Sequence, residues 1–228
     1  MTTYIRVDGT LTAGTPLPTL TTGAADPARL WTPAGLGPVG SPVGTWTDEI
    51  AGTTMTAGIA CTVGTDPAGR RTFRTVGPDG DGTATINGYN GPGSGPMTVL
   101  LVVRDMAPIG VTLTLGGFVI GAASGGWQLS YGSQVLIHGG AAATTGPRCV
   151  IFRAAGTDSA IQVDRDAPGG PGPITYNTTT TGTPKLGRTT AYAPGSHISA
   201  LAVWHRALTD TEMAAVATQQ KGNFPWLP

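Results

Sequence analysis

An all-β sandwich of two stacked antiparallel sheets, closed by one short C-terminal helix, is the fold class that this 228-residue chain predicts. Three observations predict it. Short apolar, β-branched or aromatic runs recur at close spacing, separated by clusters of Gly, Pro, Asn and Asp. With 36 Gly and 19 Pro, the chain is rich in turns and poor in helix formers. Finally, Ile198 to Trp204 is apolar on both faces, as a strand buried in mid-sandwich requires, and a helix start follows it at once. A sandwich of this length is one domain and buries about 70% of its unfolded surface, enough to stand without staples.

Residues 1–28 read as an N-terminal arm. Tyr4-Ile5-Arg6-Val7 suits one short strand, while 9–26 is Thr, Gly, Pro and Ala with few anchors, a linker or an arm that orders against something else. The domain is placed at 29–222. Within it, Arg71–Val76 and Thr83–Asn87 read as strands flanking the turn cluster Gly-Pro-Asp-Gly-Asp-Gly. The run Tyr89 to Pro96 is a Gly/Pro surface loop, and Met97–Val103 is a β-branched core strand. Val111–Leu115 and Phe118–Ile120 are strand pieces around a Gly-Gly break of the bulge kind. Trp127–Tyr131 and Gln134–His138 enclose Gly132-Ser133, whose leading Gly suits a type II′ hairpin. Cys149–Arg153 and Ile161–Asp164 form the next hairpin, and 166–183 is loop with an edge strand near Ile174–Tyr176.

The helix start is the sharpest local pattern. Thr209 and Glu212 have the spacing of a capping box, in which each side chain accepts from the other residue's free backbone N–H. Leu208 and Met213 are placed as a hydrophobic staple, and Lys221-Gly222 supply a cation and a left-handed stop. Residues 223–228, with Trp226 as an apolar knob in Pro-Trp-Leu-Pro, are a C-terminal tail beyond the domain.

The segment Leu-Gly-Arg188 … Ile198-Ser-Ala-Leu-Ala-Val-Trp204-His-Arg-Ala-Leu-Thr-Asp-Thr-Glu-Met213 resembles the closing part of laminin-G-like, concanavalin A-like jelly rolls. Weaker echoes are Leu30-Trp31, Val43-Gly-Thr-Trp46-Thr-Asp48 with Gly52, the strand from Met97 to Val103, and the hairpin at Cys149–Ala154 and Ile161–Val163. The resemblance spans roughly 29–222 and implies an antiparallel jelly-roll sandwich in which Trp31, Trp46 and Trp204 are core residues. It implies a fold, and fold does not decide function.

Composition narrows the function. Charged residues are 11% of the chain, against roughly 25% in ordinary globular proteins, and the formal net charge is zero. Such a neutral, hydroxyl-covered surface carries no footprint for nucleic acid or anionic membrane. No run approaches the roughly 18 apolar residues of a membrane span, and the first residues hold no secretory apolar core. Cys61 and Cys149 are too few for a disulfide framework, so both are expected free in a reducing cytoplasm.

Chemistry is hard to place. Glycoside hydrolysis needs two carboxyls about 5–9.5 Å apart, yet the only glutamates are Glu49 and the cap residue Glu212, and Asp164 and Asp166 read as a turn. His197 and His205 stand eight residues apart on one strand, about 26 Å, too far to chelate one ion, and His138 is isolated. Asp79 and Asp81 offer calcium two carboxylates in a Gly-rich loop, with a solvated turn as the plainer reading. No metal or cofactor is expected. Contact is what remains: Tyr89, Asn90 and Trp127 are the candidates for glycan binding, and Tyr4, Ile5 and Trp226 for subunit contact. The resemblance extends to jelly rolls of bacteriophage minor tail and capsid-surface proteins. The expected function is therefore a non-enzymatic virion structural protein, assembled in the host cytoplasm with other virion proteins and copies of itself, and able to touch host polysaccharide. The alternatives are a carbohydrate-binding module of a bacterial surface protein and, less favoured, a glycoside hydrolase.

Overall fold

The computed structural model describes residues 26–75, 82–89, 91, 95–105, 110–123, 126–139, 146–174, 183–187 and 196–228. In chain order its strands begin with β1 (Arg29–Trp31), β2 (Thr45–Thr47), β3 (Thr54–Ala57), β4 (Thr62–Thr65), β5 (Arg71–Thr75), β6 (Ala84–Ile86), β7 (Met97–Asp105) and β8 (Gly110–Leu115). They continue with β9 (Phe118–Ala123), β10 (Gly126–Tyr131), β11 (Gln134–Gly139), β12 (Arg148–Ala154), β13 (Gly156–Val163), β14 (Gly169–Ile174), β15 (Lys185–Leu186) and β16 (Ser196–Trp204), before helix α1 (Asp210–Asn223). Two eight-stranded antiparallel sheets result. The first runs β14-β13-β12-β7-β16-β5-β4 with β1 also on β16, and the second runs β11-β10-β9-β8-β15-β6-β3-β2. This is the expected antiparallel jelly-roll sandwich with one C-terminal helix.

The first sheet is apolar on both faces because it separates two cores. Between the sheets lie Trp31, Trp46, Phe73, Leu101, Trp127 and Phe152, all close to zero exposure. On its other face Leu100, Val102, Ile151, Ala202 and Trp204 pack beneath α1 residues Met213, Val216 and Ala217. All nine residues of β16 are accordingly buried. A register shift between Ile198 and Ala200 lets Ile198, Leu201 and Val203 share the inter-sheet side although their spacing is not uniformly two. Among the described residues no helix is long and apolar enough to cross a membrane.

Several expectations need correcting. Gly116 and Gly117 both take positive φ, 57° and 81°, and form a two-residue turn of the I′ kind between β8 and β9, not a bulge. The edge strand is earlier than expected, Gly169–Ile174, because the chain returns along β13 from Gly169 opposite Ile161 to Ile174 opposite Gly156. The strands expected on either side of the 77–82 turn cluster form as β5 and β6, one in each sheet. Gly222 sits inside α1, which runs to Asn223 and is capped by Phe224, whose N–H reaches Gln220 O; there is no left-handed stop. Gly132 takes φ 60° with no positive φ at Ser133, as the type II′ reading requires. The capping box forms with both its hydrogen bonds, and the staple residues Leu208 and Met213 are fully buried.

Candidate functional site

Two surfaces merit description, and the first is a polar cluster at one end of β16. The turn after β2 is built on Asp48, a buried carboxylate that accepts from the N–H groups of Leu30 (2.8 Å), Ile50 (3.0 Å) and Ala51 (3.1 Å). Gly52, at φ 70°, completes this turn and donates to Asp48 O. The fixed carboxylate lies 3.5 Å from Arg29 Nε. Arg29 in turn places its guanidinium 4.5 Å from the centre of the Tyr89 ring. The Tyr89 hydroxyl meets His205 Nε2 at 2.8 Å, with the two rings near parallel at 15°. Next to Asp48 in the chain, the Glu49 carboxyl accepts from the Thr32 hydroxyl.

Electrostatics follow from this packing. Burial pushes the Tyr89 phenol well above its ordinary value, so it stays a protonated donor or acceptor. Burial, followed by the Arg29 charge, lowers His205, which favours the uncharged imidazole. Burial also raises Glu49, against the opposing Thr32 bond. Arg29, Asp48, Tyr89 and His205 therefore form one connected set, of which His205 is the exposed member.

The second surface is the outer face of the second sheet. Thr45, Thr56, Thr85, Lys185, Thr114, Val119, Ser130 and Val135 are successive cross-strand partners, one from each of its eight strands. Their chain neighbours Trp46, Met55, Leu186, Leu115, Phe118 and Leu129 point into the core. Asn87 braces part of this face, donating to the hydroxyls of Thr56 (2.8 Å) and Thr54 (3.2 Å).

The structure places Tyr89, Trp127 and Trp226 elsewhere than expected. Tyr89 is 5% exposed and Trp127 is fully buried, edge-on to Phe152 at 6.1 Å, so neither offers a ring face to a sugar. Trp226 docks on its own domain: its indole donates to Asp66 Oδ2 (2.8 Å) and its ring meets Phe224 at 5.5 Å. Phe224 and Leu227 are buried with it against α1, so the expected tail packs as part of the domain. Asn90, Tyr4, Ile5, Asp79, Asp81 and Arg188 lie outside the described residues.

The remaining candidates have structural tasks. His197 is buried with its Nδ1 3.0 Å from Thr72 Oγ1, and the His138 ring lies over Gly169, where any Cβ would collide with it. Asp164 takes φ 54° in a turn and accepts from Cys149 N–H at 2.9 Å. Glu212 holds Arg206 with both oxygens, at 2.6 and 2.9 Å, besides closing the capping box. Cys61 and Cys149 are free and buried, and burial pushes the Cys61 thiol up to about 11 and Cys149 higher still. Among the described residues no three His, Cys, Asp or Glu side chains converge as metal ligands. The sequence reading missed Arg29, Asp48 and His205 as a group, because 19 to 176 residues separate them and they meet only through β1–β16 pairing and the Asp48 bond to Leu30 N–H.

Among solved structures the chain is similar to Trypanosoma rangeli sialidase, in complex with 2,3-difluoro-KDN. That match has TM-score 0.57 and 16% identity, covering 92% of this chain and 36% of the sialidase. It is also similar to the botulinum neurotoxin type G receptor binding domain, with TM-score 0.61, 10% identity and 86% and 52% coverage. The chain thus spans about a third of the one and about half of the other. At these identities the likeness is one of fold: an all-β sandwich. No family model and no curated protein matches.

Proposed function

We propose that this protein is a non-enzymatic virion structural protein of a bacteriophage, a minor tail or capsid-surface protein that exposes its jelly roll as a contact module. The observation that carries the reading is the outer face of the second sheet. Across its eight strands the described outward residues are hydroxyls, amides and aliphatics with one lysine, and no carboxylate. A neutral, hydroxyl-lined face of this kind suits repeated weak contacts with neighbouring subunits or with surface polysaccharide, and lacks the paired acids of glycoside hydrolysis. The positive commitments of Asp48, Asp66, Asp164 and Glu212 as acceptors for backbone, indole and guanidinium donors support the same conclusion.

Deleting residues 1–25 is expected to abolish incorporation of the protein into purified phage particles while the domain still gives its β-rich circular dichroism. Normal incorporation would count against the virion reading. The second reading is a glycan-binding module of a bacterial surface protein, favoured by the exposed imidazole of His205 beside Arg29. The absence of any binding on an array of bacterial cell-wall glycans would remove it.

A further inference from the structure

We infer that strand β11 (Gln134–Gly139) is a self-association edge, pairing antiparallel with β11 of a second copy of this chain and so joining their second sheets. This goes beyond the proposed function: it names the strand and the partner, and its failure would leave the virion reading standing. Unpaired sheet edges invite further strands, and among the described residues four of the five edge strands are guarded. β14 carries Pro171 and Pro173 and two register shifts. β4 is met by Gly40, which donates to Val63 O, and by Ser41, whose carbonyl accepts from Val63 N–H. β1 is met at Leu30 by the Glu49 N–H and the Asp48 carboxylate. β2 is only three residues long. β11 has none of these guards: it runs six residues in unbroken register with β10, holds no proline or formal charge, and ends its sheet.

Tyr131 and Gln134 flank the two-residue turn and so exchange hydrogen bonds, as do Leu129 with Leu136 and Trp127 with His138. The N–H and C=O groups of Val135 and Ile137 therefore point away from β10. A two-fold axis at Leu136 sets each Val135 opposite the other copy's Ile137, and all four groups on each strand then find a partner. The edge is its own complement. Side chains agree with the backbone. Leu136 points into the core, while Val135 and Ile137 are 52% and 44% exposed, the only strand residues among the exposed large hydrophobics described. The axis gathers both pairs into one apolar cluster on the outer face. Gln134 meets His138, and with no Asp, Glu, Lys or Arg in β11 no like charges face each other. Two joined strands alone cover less than the roughly 1,000 Å² of a stable interface, so the dimer is weak and favoured where copies are crowded.

Sedimentation velocity of the full chain, from low micromolar to near-millimolar concentration, is run beside amide hydrogen exchange followed by NMR. A dimer is expected to grow in with concentration, and the Val135 and Ile137 amides to exchange at least tenfold more slowly at the top of the range. Amides of β2, the opposite edge of the same sheet, should not change. Val135→Lys and Ile137→Lys, at exposed positions outside the core, are each expected to weaken the dimer at least tenfold. Thr56→Lys, on the same face but far along the sheet, should leave it unaltered. A monomer at every concentration overturns the proposal. If its Val135 and Ile137 amides are already protected, another part of the same chain holds the edge instead. A dimer undiminished by both lysines overturns β11 as its seat, and a dimer in which those two amides gain no protection overturns the strand pairing.

Discussion

The outer faces of the two sheets follow opposite rules. On the first, strands β7 and β16 present apolar residues to both sides, so Leu100, Val102, Ala202 and Trp204 need a cover and receive α1 with Phe224 and Leu227. On the second, β2, β3 and β6 alternate strictly, and Thr45, Thr47, Thr56 and Thr85 meet water while Trp46, Met55 and Ile86 fill the core. The same pleat thus yields a second core in one place and a contact surface in the other. What decides is the residue at every second position, and whether a later segment is apolar enough to close over it.

The sharpest way to break this contrast is to cut into the helix-covered face. Trp204→Ala is expected to cost about 3–5 kcal/mol in urea unfolding, because its ring is 2% exposed beneath α1. A loss below about 1 kcal/mol would show that the helix does not seal a true core. Next in size, Trp226→Ala leaves the buried Asp66 carboxylate without its indole donor and is expected to cost about 1–3 kcal/mol. Trp226→Phe keeps most of the ring, and its smaller loss separates packing from the hydrogen bond.

The cap sharpens the comparison at lower amplitude. Thr209→Ala is expected to cost about 1 kcal/mol, read from the same unfolding curves. Its partner Glu212 is held down to about 2 by Arg206, with the Thr209 N–H adding to the effect. A carboxylate depressed on folding contributes its stability above the ordinary value near 4.5 and loses it as pH falls toward about 2. Melting temperatures of the unaltered protein and of Glu212→Gln should therefore differ at pH 6 and converge near pH 2. At the bottom of the scale, Thr56→Ala on the open face is expected to stay within about 0.5 kcal/mol of the unaltered protein.

Patterns confined to a few consecutive residues were readable in advance. The capping box, the Leu208–Met213 staple, the Gly132-Ser133 turn and the buried β16 all depend on local spacing, and all stand in the structure. Gly116-Gly117 was misread because two glycines serve a bulge and a tight hairpin equally well until the partner strand is known. Aromatic roles failed for a related reason. Tyr89 and Trp127 sit among glycines and strand ends that look superficial, yet Arg29, His205 and Phe152 arrive from distant segments to enclose them.

From the order of its residues alone, this protein was committed to a β sandwich, a capped terminal helix and a nearly uncharged surface. Each of these reflects a period, a cap or a composition that acts over short distances. Which outer face is covered, where Trp226 docks, and that Arg29, Asp48, Tyr89 and His205 meet were decided only in three dimensions. Those contacts join β1, the turns and the end of β16, and their partners are chosen by strand register and sheet crossing, which no short window of sequence contains.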